Sequence, residues 1–120
     1  MQRLMLLSKI HRASITERDL NYVGSITIDK NLIEACGVYV NERVDIYNIS
    51  NGNRFSTYVI EGEAGSGIIG VNGAAARLVS LGDKVIICNY ARMTEEEIKG
   101  HEPTVIVVDD DENLEFHQHV

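Results

Sequence analysis

A chain of 120 residues, 44% hydrophobic and 24% charged, suits one soluble globular domain with a real but small core. Its net charge of −7 argues against a nucleic-acid partner, and no apolar run approaches membrane-spanning length, so no membrane partner is expected. Met1 to His11 is too interrupted for a signal peptide, which makes the cytoplasm the expected location.

Met5 to Ile15 reads as an extended strand with Lys9 and His11 on one face. Ser25 to Ile28 is a short strand running into Asp29, a good N-cap for a helix from Lys30 to Cys36, and Gly37 stands where a left-handed stop belongs. Two β-rich runs, Val44 to Ile49 and Arg54 to Ile60, flank Asn51-Gly52, a strong hairpin signal. Ile68 to Val71 is a further strand, after which Asn72 is expected to cap a short helix through Arg77. A turn at Leu81-Gly82-Asp83 leads to a buried strand, Lys84 to Asn89. Thr94 and Glu97 form a capping box for a small helix stopped by Gly100, and Val105 to Val108 is the last predicted strand. Residues 102–120 carry −6 of the net charge with no Lys or Arg, and are expected to be a solvated acidic tail with a frayed His117-Gln118-His119 end. Many short strands with tight turns and brief helices point to a small β-barrel.

Some patterns can be set aside. Gly65-Ser66-Gly67-Ile68-Ile69-Gly70 fits a dinucleotide fingerprint by letters, but it flows into β-branched residues rather than opening a helix. Cys36 and Cys88 lack zinc or redox spacing and read as buried free thiols. No metal site is expected, since His117 and His119 lack a third ligand.

Other patterns could carry chemistry. Arg54, Ser56 and Tyr58 share one strand face, where an arginine fork can hold a carboxylate and a phenol can deliver a proton. The small residues of Asn72-Gly73-Ala74-Ala75-Ala76 would open a helix start to close approach by an anion. On pattern alone, a solvated strand face and plain helix packing are the readings these residues favour.

Taken together, Tyr22-Val23-Gly24-Ser25, Asn51-Gly52-Asn53-Arg54-Phe55-Ser56-Thr57-Tyr58 and Val71-Asn72-Gly73-Ala74-Ala75-Ala76 make the chain resemble the aspartate 1-decarboxylase family. The match runs in order and without insertion from Met5 to Ile87. The resemblance implies a mainly β fold, a small six-stranded double-psi β-barrel with a few short helices, as one domain over residues 1–120. It implies autocatalytic cleavage at Gly24–Ser25 into a 1–24 β chain and a 25–120 α chain. The Ser25 hydroxyl would attack the Gly24 carbonyl to give an ester. Elimination would then free Gly24 as a carboxylate, and hydrolysis with loss of ammonia would leave a pyruvoyl group. Glycine at 24 is expected to tolerate a strained backbone there.

The pyruvoyl group formed from Ser25 would serve in place of pyridoxal phosphate, with no metal, to decarboxylate L-aspartate to β-alanine for pantothenate biosynthesis. Ser25 and Tyr58 would be catalytic, with Tyr58 the proton donor. Thr57 would assist self-processing and line the substrate site. Lys9, Arg54, Asn72, Gly73, Ala74 and Ala75 would bind substrate, and His11, Tyr22, Tyr47 and Ile86 would support them. The family implies a homotetramer with sites between subunits.

Two departures stand out. The family often has Trp where this chain has Tyr47, and the segment after Met93 matches poorly, so no maturation factor can be carried over. Two alternatives stay open: a pyruvoyl decarboxylase acting on a different amino acid, and a non-enzymatic β-barrel module in which Gly24–Ser25 stays intact.

Overall fold

The computed structural model describes residues 1–120 as nine strands, two short α-helices and one 3₁₀ turn. In chain order they are β1 (Gln2–Ser14), β2 (Glu17–Asp19), β3 (Ser25–Asp29), α1 (Lys30–Cys36), β4 (Arg43–Asn48) and β5 (Arg54–Gly62). There follow β6 (Ile69–Asn72), the 3₁₀ turn (Gly73–Leu78), β7 (Lys84–Thr94), α2 (Glu95–Ile98), β8 (Thr104–Val108) and β9 (Phe116–His119). The mainly β expectation is met, but the strands number nine rather than six, in the hydrogen-bonded order β2-β6-β3-β5-β4-β7-β1-β8-β9. Two of the additions, β2 and β9, are short and polar, so they carry no alternating apolar signal; pairing with β6 and β8 makes them strands.

The sheet is mixed. β3 runs parallel to β5 and antiparallel to β6, while β1 runs antiparallel to β7 and parallel to β8. Apolar alternation drives one side inward, and Ile10, Ile26, Ile28, Ile46, Val59, Ile69, Val71 and Val85 form the centre of the core. α1 packs there through Leu32 and Ile33. Its predicted ends are both observed: the Asp29 carboxylate accepts from the Asn31 N–H at 2.8 Å, and Gly37 stops the helix at φ 82°. Asp29 also accepts from the N–H groups of Gly65 and Gly67, at 3.1 and 2.8 Å, which ties the β5–β6 loop to the helix start.

The predicted hairpin joins β4 to β5, with Gly52 at φ 80° in its turn. The side-chain amides of Asn48, Asn51 and Asn53 donate to the Leu78 carbonyl at 3.3, 3.1 and 3.2 Å, anchoring the turn to the end of the 3₁₀ segment. The capping box at Thr94 and Glu97 also forms as expected. No helix is long and apolar enough to cross a membrane.

The acidic end is folded rather than a solvated tail. Asn113, 1% exposed, accepts from the Ser14 N–H at 2.7 Å and donates to the carbonyls of Ser14 and Gly67, each at 2.8 Å. The Lys84 ammonium bridges the Ser14 hydroxyl and the Asp111 carboxylate, each at 2.6 Å. β9 pairs with β8, and His117 Nδ1 lies 2.8 Å from Asp109 Oδ2. Charge density misleads here because the buried attachment is made by an uncharged side chain, Asn113, and by the backbone pairing of β9, neither visible in a charge count.

Candidate active site

Ser25 opens β3 directly opposite Asn72 of β6. Its side chain is 1% exposed, and its Oγ accepts a hydrogen bond from Asn72 Nδ2 at 3.1 Å; the same amide donates to Thr27 Oγ1 at 3.3 Å. Asn72 therefore does not cap the segment that follows, contrary to the sequence expectation. With its amide turned to Ser25 and Thr27, the chain goes over into a 3₁₀ turn, not an α-helix start with a ring of free N–H groups.

Gly73 begins that turn at φ 75°, and a Cβ built there would lie 2.7 Å from Gly24 Cα and 3.3 Å from the Tyr22 carbonyl oxygen. Its backbone thus packs onto the Gly24–Ser25 segment as no other residue could. Gly24 differs from expectation: its φ is not positive, and a Cβ there would meet nothing closer than the Asn72 carbonyl at 3.9 Å. The conformational demand falls on Gly73, because the close approach is made from its side. Ala74 is exposed and Ala75 half-buried beside it, while Tyr22 is 56% exposed.

β5 pairs with β3 from the other side. The parallel ladder begins at Ile26 opposite Val59, so Thr57 and Tyr58 lead into it on β5 as Gly24 and Ser25 lead into it on β3. Thr57 and Tyr58 point to opposite sides of β5, Thr57 half-buried and Tyr58 37% exposed.

The remaining candidates lie on the half-buried face of the sheet β5-β4-β7-β1, where directly opposed residues share a side. One row reads Arg54, Tyr47, Ile86, His11; the next reads Ser56, Asp45, Cys88, Lys9. The Arg54 guanidinium stacks over the Tyr47 ring, 4.4 Å from its centroid. Tyr47 hydroxyl pairs with that of Tyr90 at 2.8 Å. Lys9 stands three strands from Ser56, about 14 Å at the usual strand spacing, so it does not meet Arg54 of its own chain over a short ligand.

Burial lowers the pKa of His11, and the positive charges of Lys9 and Arg12 and the nearby His119 act in the same direction. Its Nδ1 is buried without a partner. The Tyr90 phenol is raised, first by its bond to Tyr47 and then by burial. Both cysteines are free and buried, and burial raises both thiols, in line with the inert reading. The sequence reading missed Thr27 and Tyr90. Thr27 lies two residues after Ser25 on one strand face, a signal that was available; Tyr90 is joined to Tyr47 only through the β4–β7 pairing.

Residues 1–115 match a protein family described as aspartate decarboxylase. An aspartate 1-decarboxylase of Caldicellulosiruptor saccharolyticus is 60% identical over 92% of this chain and 86% of its own. One from Neisseria meningitidis serogroup C is 59% identical over 91% and 86%, and one from Bacillus velezensis is 55% identical over 96% and 91%. Among solved structures, a rationally designed protein aligns with 69% of this chain and 90% of its own, at TM-score 0.48 and 23% identity.

Proposed function

The chain belongs to the aspartate decarboxylase family, and from that membership we propose that it converts L-aspartate to β-alanine and carbon dioxide with a pyruvoyl group made from its own Ser25. The observation that carries the reading is the setting of one peptide bond: Ser25 pairs with Asn72 of β6, Gly73 of the 3₁₀ turn packs on Gly24, and β5 joins β3 one residue further on, at Ile26. A buried serine hydroxyl, held from one side by an amide and facing an otherwise ordinary peptide, suits self-cleavage better than packing.

In this reading the single domain, residues 1–120, is made intact and cleaves into chains 1–24 and 25–120. Ser25 Oγ attacks the Gly24 carbonyl while Asn72 orients the hydroxyl and Thr57 polarises the carbonyl oxygen. Gly73, having no side chain, lets its backbone pack on Gly24 without pressing on it. The pyruvoyl group, once formed, supplies a carbonyl that engages the substrate amine and draws electrons from the bond to the departing carboxylate, with neither pyridoxal phosphate nor metal. Tyr58, which leads into the β3–β5 ladder as Ser25 does, donates the proton that replaces carbon dioxide. Arg54 offers its fork to a substrate carboxylate, with Tyr47 beneath it. Backbone groups of Gly73, Ala74 and Ala75 close the substrate pocket, while His11, Tyr22 and Ile86 line it.

Lys9 fits this site only as a contribution from a neighbouring subunit, given its place three strands away. Its half-buried sheet face, together with the small core, favours a homotetramer with sites between subunits.

The test is the intact mass of the purified protein after warm incubation, under denaturing conditions. Two fragments, one ending at Gly24 and a larger one lighter by one ammonia than hydrolysis allows, are expected, together with β-alanine from L-aspartate. A chain still whole after prolonged heating would overturn the reading and leave the non-enzymatic barrel.

A further inference from the structure

We propose that Tyr90 is a positioning residue for substrate, acting on Arg54 through Tyr47; this rests on the decarboxylase reading and extends it to a residue outside the matching motifs. Two contacts in series carry it. The Tyr90 and Tyr47 hydroxyls are 2.8 Å apart, and the Tyr47 ring lies under the guanidinium of Arg54, the carboxylate fork of the proposed site, at 4.4 Å. Arg54 has no carboxylate partner of its own: the salt bridges in the chain involve Lys30, Arg43, Lys84, Lys99 and His117. The tyrosine ring is thus its one specific contact, and a guanidinium on a flexible stem holds a direction only as well as its platform does.

Tyr47 projects from β4 opposite Arg54 on β5, half-buried and outside the core cluster, so core packing does not fix its ring. The hydroxyl bond to Tyr90 supplies the missing constraint. It ties the far end of the ring to β7, a strand of 11 residues paired on both sides. The device depends on this chain's own pair of tyrosines, since only a hydroxyl at position 47 can make the bond to Tyr90. The same bond raises the Tyr90 phenol, which therefore stays protonated.

The experiment compares the cleaved wild-type protein with Tyr90→Phe, Tyr47→Phe and the double variant. KM and kcat for L-aspartate are measured, as is the Kd for succinate, a dicarboxylate without an amine to react. Each single variant should raise KM and the succinate Kd together by about threefold to tenfold, the scale of one lost ordering hydrogen bond, and leave kcat within about twofold. The double variant should be no worse than either single, because both remove the same bond.

Unchanged KM in Tyr90→Phe overturns the proposal, as does a fall in kcat alone or single effects that multiply in the double variant. Phe fills the same space, and a melting temperature near wild type in each variant assigns the KM change to positioning rather than to misfolding. A wild-type protein that neither yields β-alanine nor binds succinate would instead overturn the decarboxylase reading, independently of Tyr90.

Discussion

At Ser25 the structure gives a plain hydroxyl two unusual circumstances, near-complete burial and an amide donor aimed at its oxygen. Ser25→Ala should remove the nucleophile with little change in packing, leaving the chain at full mass with no β-alanine formed; cleavage in that variant would show that another group attacks Gly24. His11 makes a different prediction. Its folded pKa lies below the ordinary value of about 6.5, so on acidification the unfolded chain takes up a proton first. The folded state therefore loses stability as pH falls below about 6.5, and neutral pH carries no penalty from this group. Melting temperature measured from pH 7 to pH 5 should fall less steeply in His11→Gln than in the wild type, and parallel curves would refute that account. Lys9, Arg12 and His119 are the charged or titratable neighbours that act on it.

Among the elements, the 3₁₀ turn after β6 matters most for processing. A methyl at Gly73 would press on Gly24 Cα from 2.7 Å while forcing a side chain into φ 75°. Gly73→Ala should cost about 1–3 kcal/mol in denaturant unfolding and slow cleavage at Gly24–Ser25, whereas Gly24→Ala should fold normally, since its Cβ has room. A Gly73→Ala protein that cleaves at the wild-type rate would detach the turn from the chemistry. The β8–β9 end is the other element with a measurable role. Asn113→Ala strips partners from the Ser14 N–H and from the carbonyls of Ser14 and Gly67 inside the protein, and should destabilise it by about 2–4 kcal/mol. Asp111→Asn, at an exposed site, should leave the unfolding midpoint near that of wild type. A frayed tail would make the Asn113 substitution silent as well.

For the whole molecule, the separation of Lys9 from Arg54 is the decisive distance. If each site takes Arg54 from one subunit and Lys9 from another, Lys9→Ala and Arg54→Ala chains should each be inactive alone yet active when co-assembled. Random mixing would restore about a quarter of the sites. No recovery from mixed assemblies, with light scattering showing them to form, would place both residues in one chain's site or put Lys9 outside it.

The amino-acid sequence determined much of this protein by itself. Asp29 and Gly37 bracket α1, Asn51-Gly52 turns the β4–β5 hairpin, and Thr94 with Glu97 caps α2, because caps and turns depend on residues a few positions apart. The family was legible for a similar reason: its motifs are short runs of neighbouring residues, around Gly24-Ser25, Arg54 to Tyr58 and Asn72 to Ala76. What only the tertiary structure decided involves partners far apart in the chain. Asn72 looks like a cap in sequence, but Ser25 and Thr27 claim its amide once β6 pairs with β3. The acidic end looks like a tail, but Asn113 finds Ser14 and Gly67 across the fold. Tyr90 lies 43 residues from Tyr47, and only the β4–β7 register brings their hydroxyls together. Local propensity is written residue by residue, whereas a polar side chain inside a folded protein takes whichever partner the strand register delivers to it, and that register is set by burial of the whole apolar face.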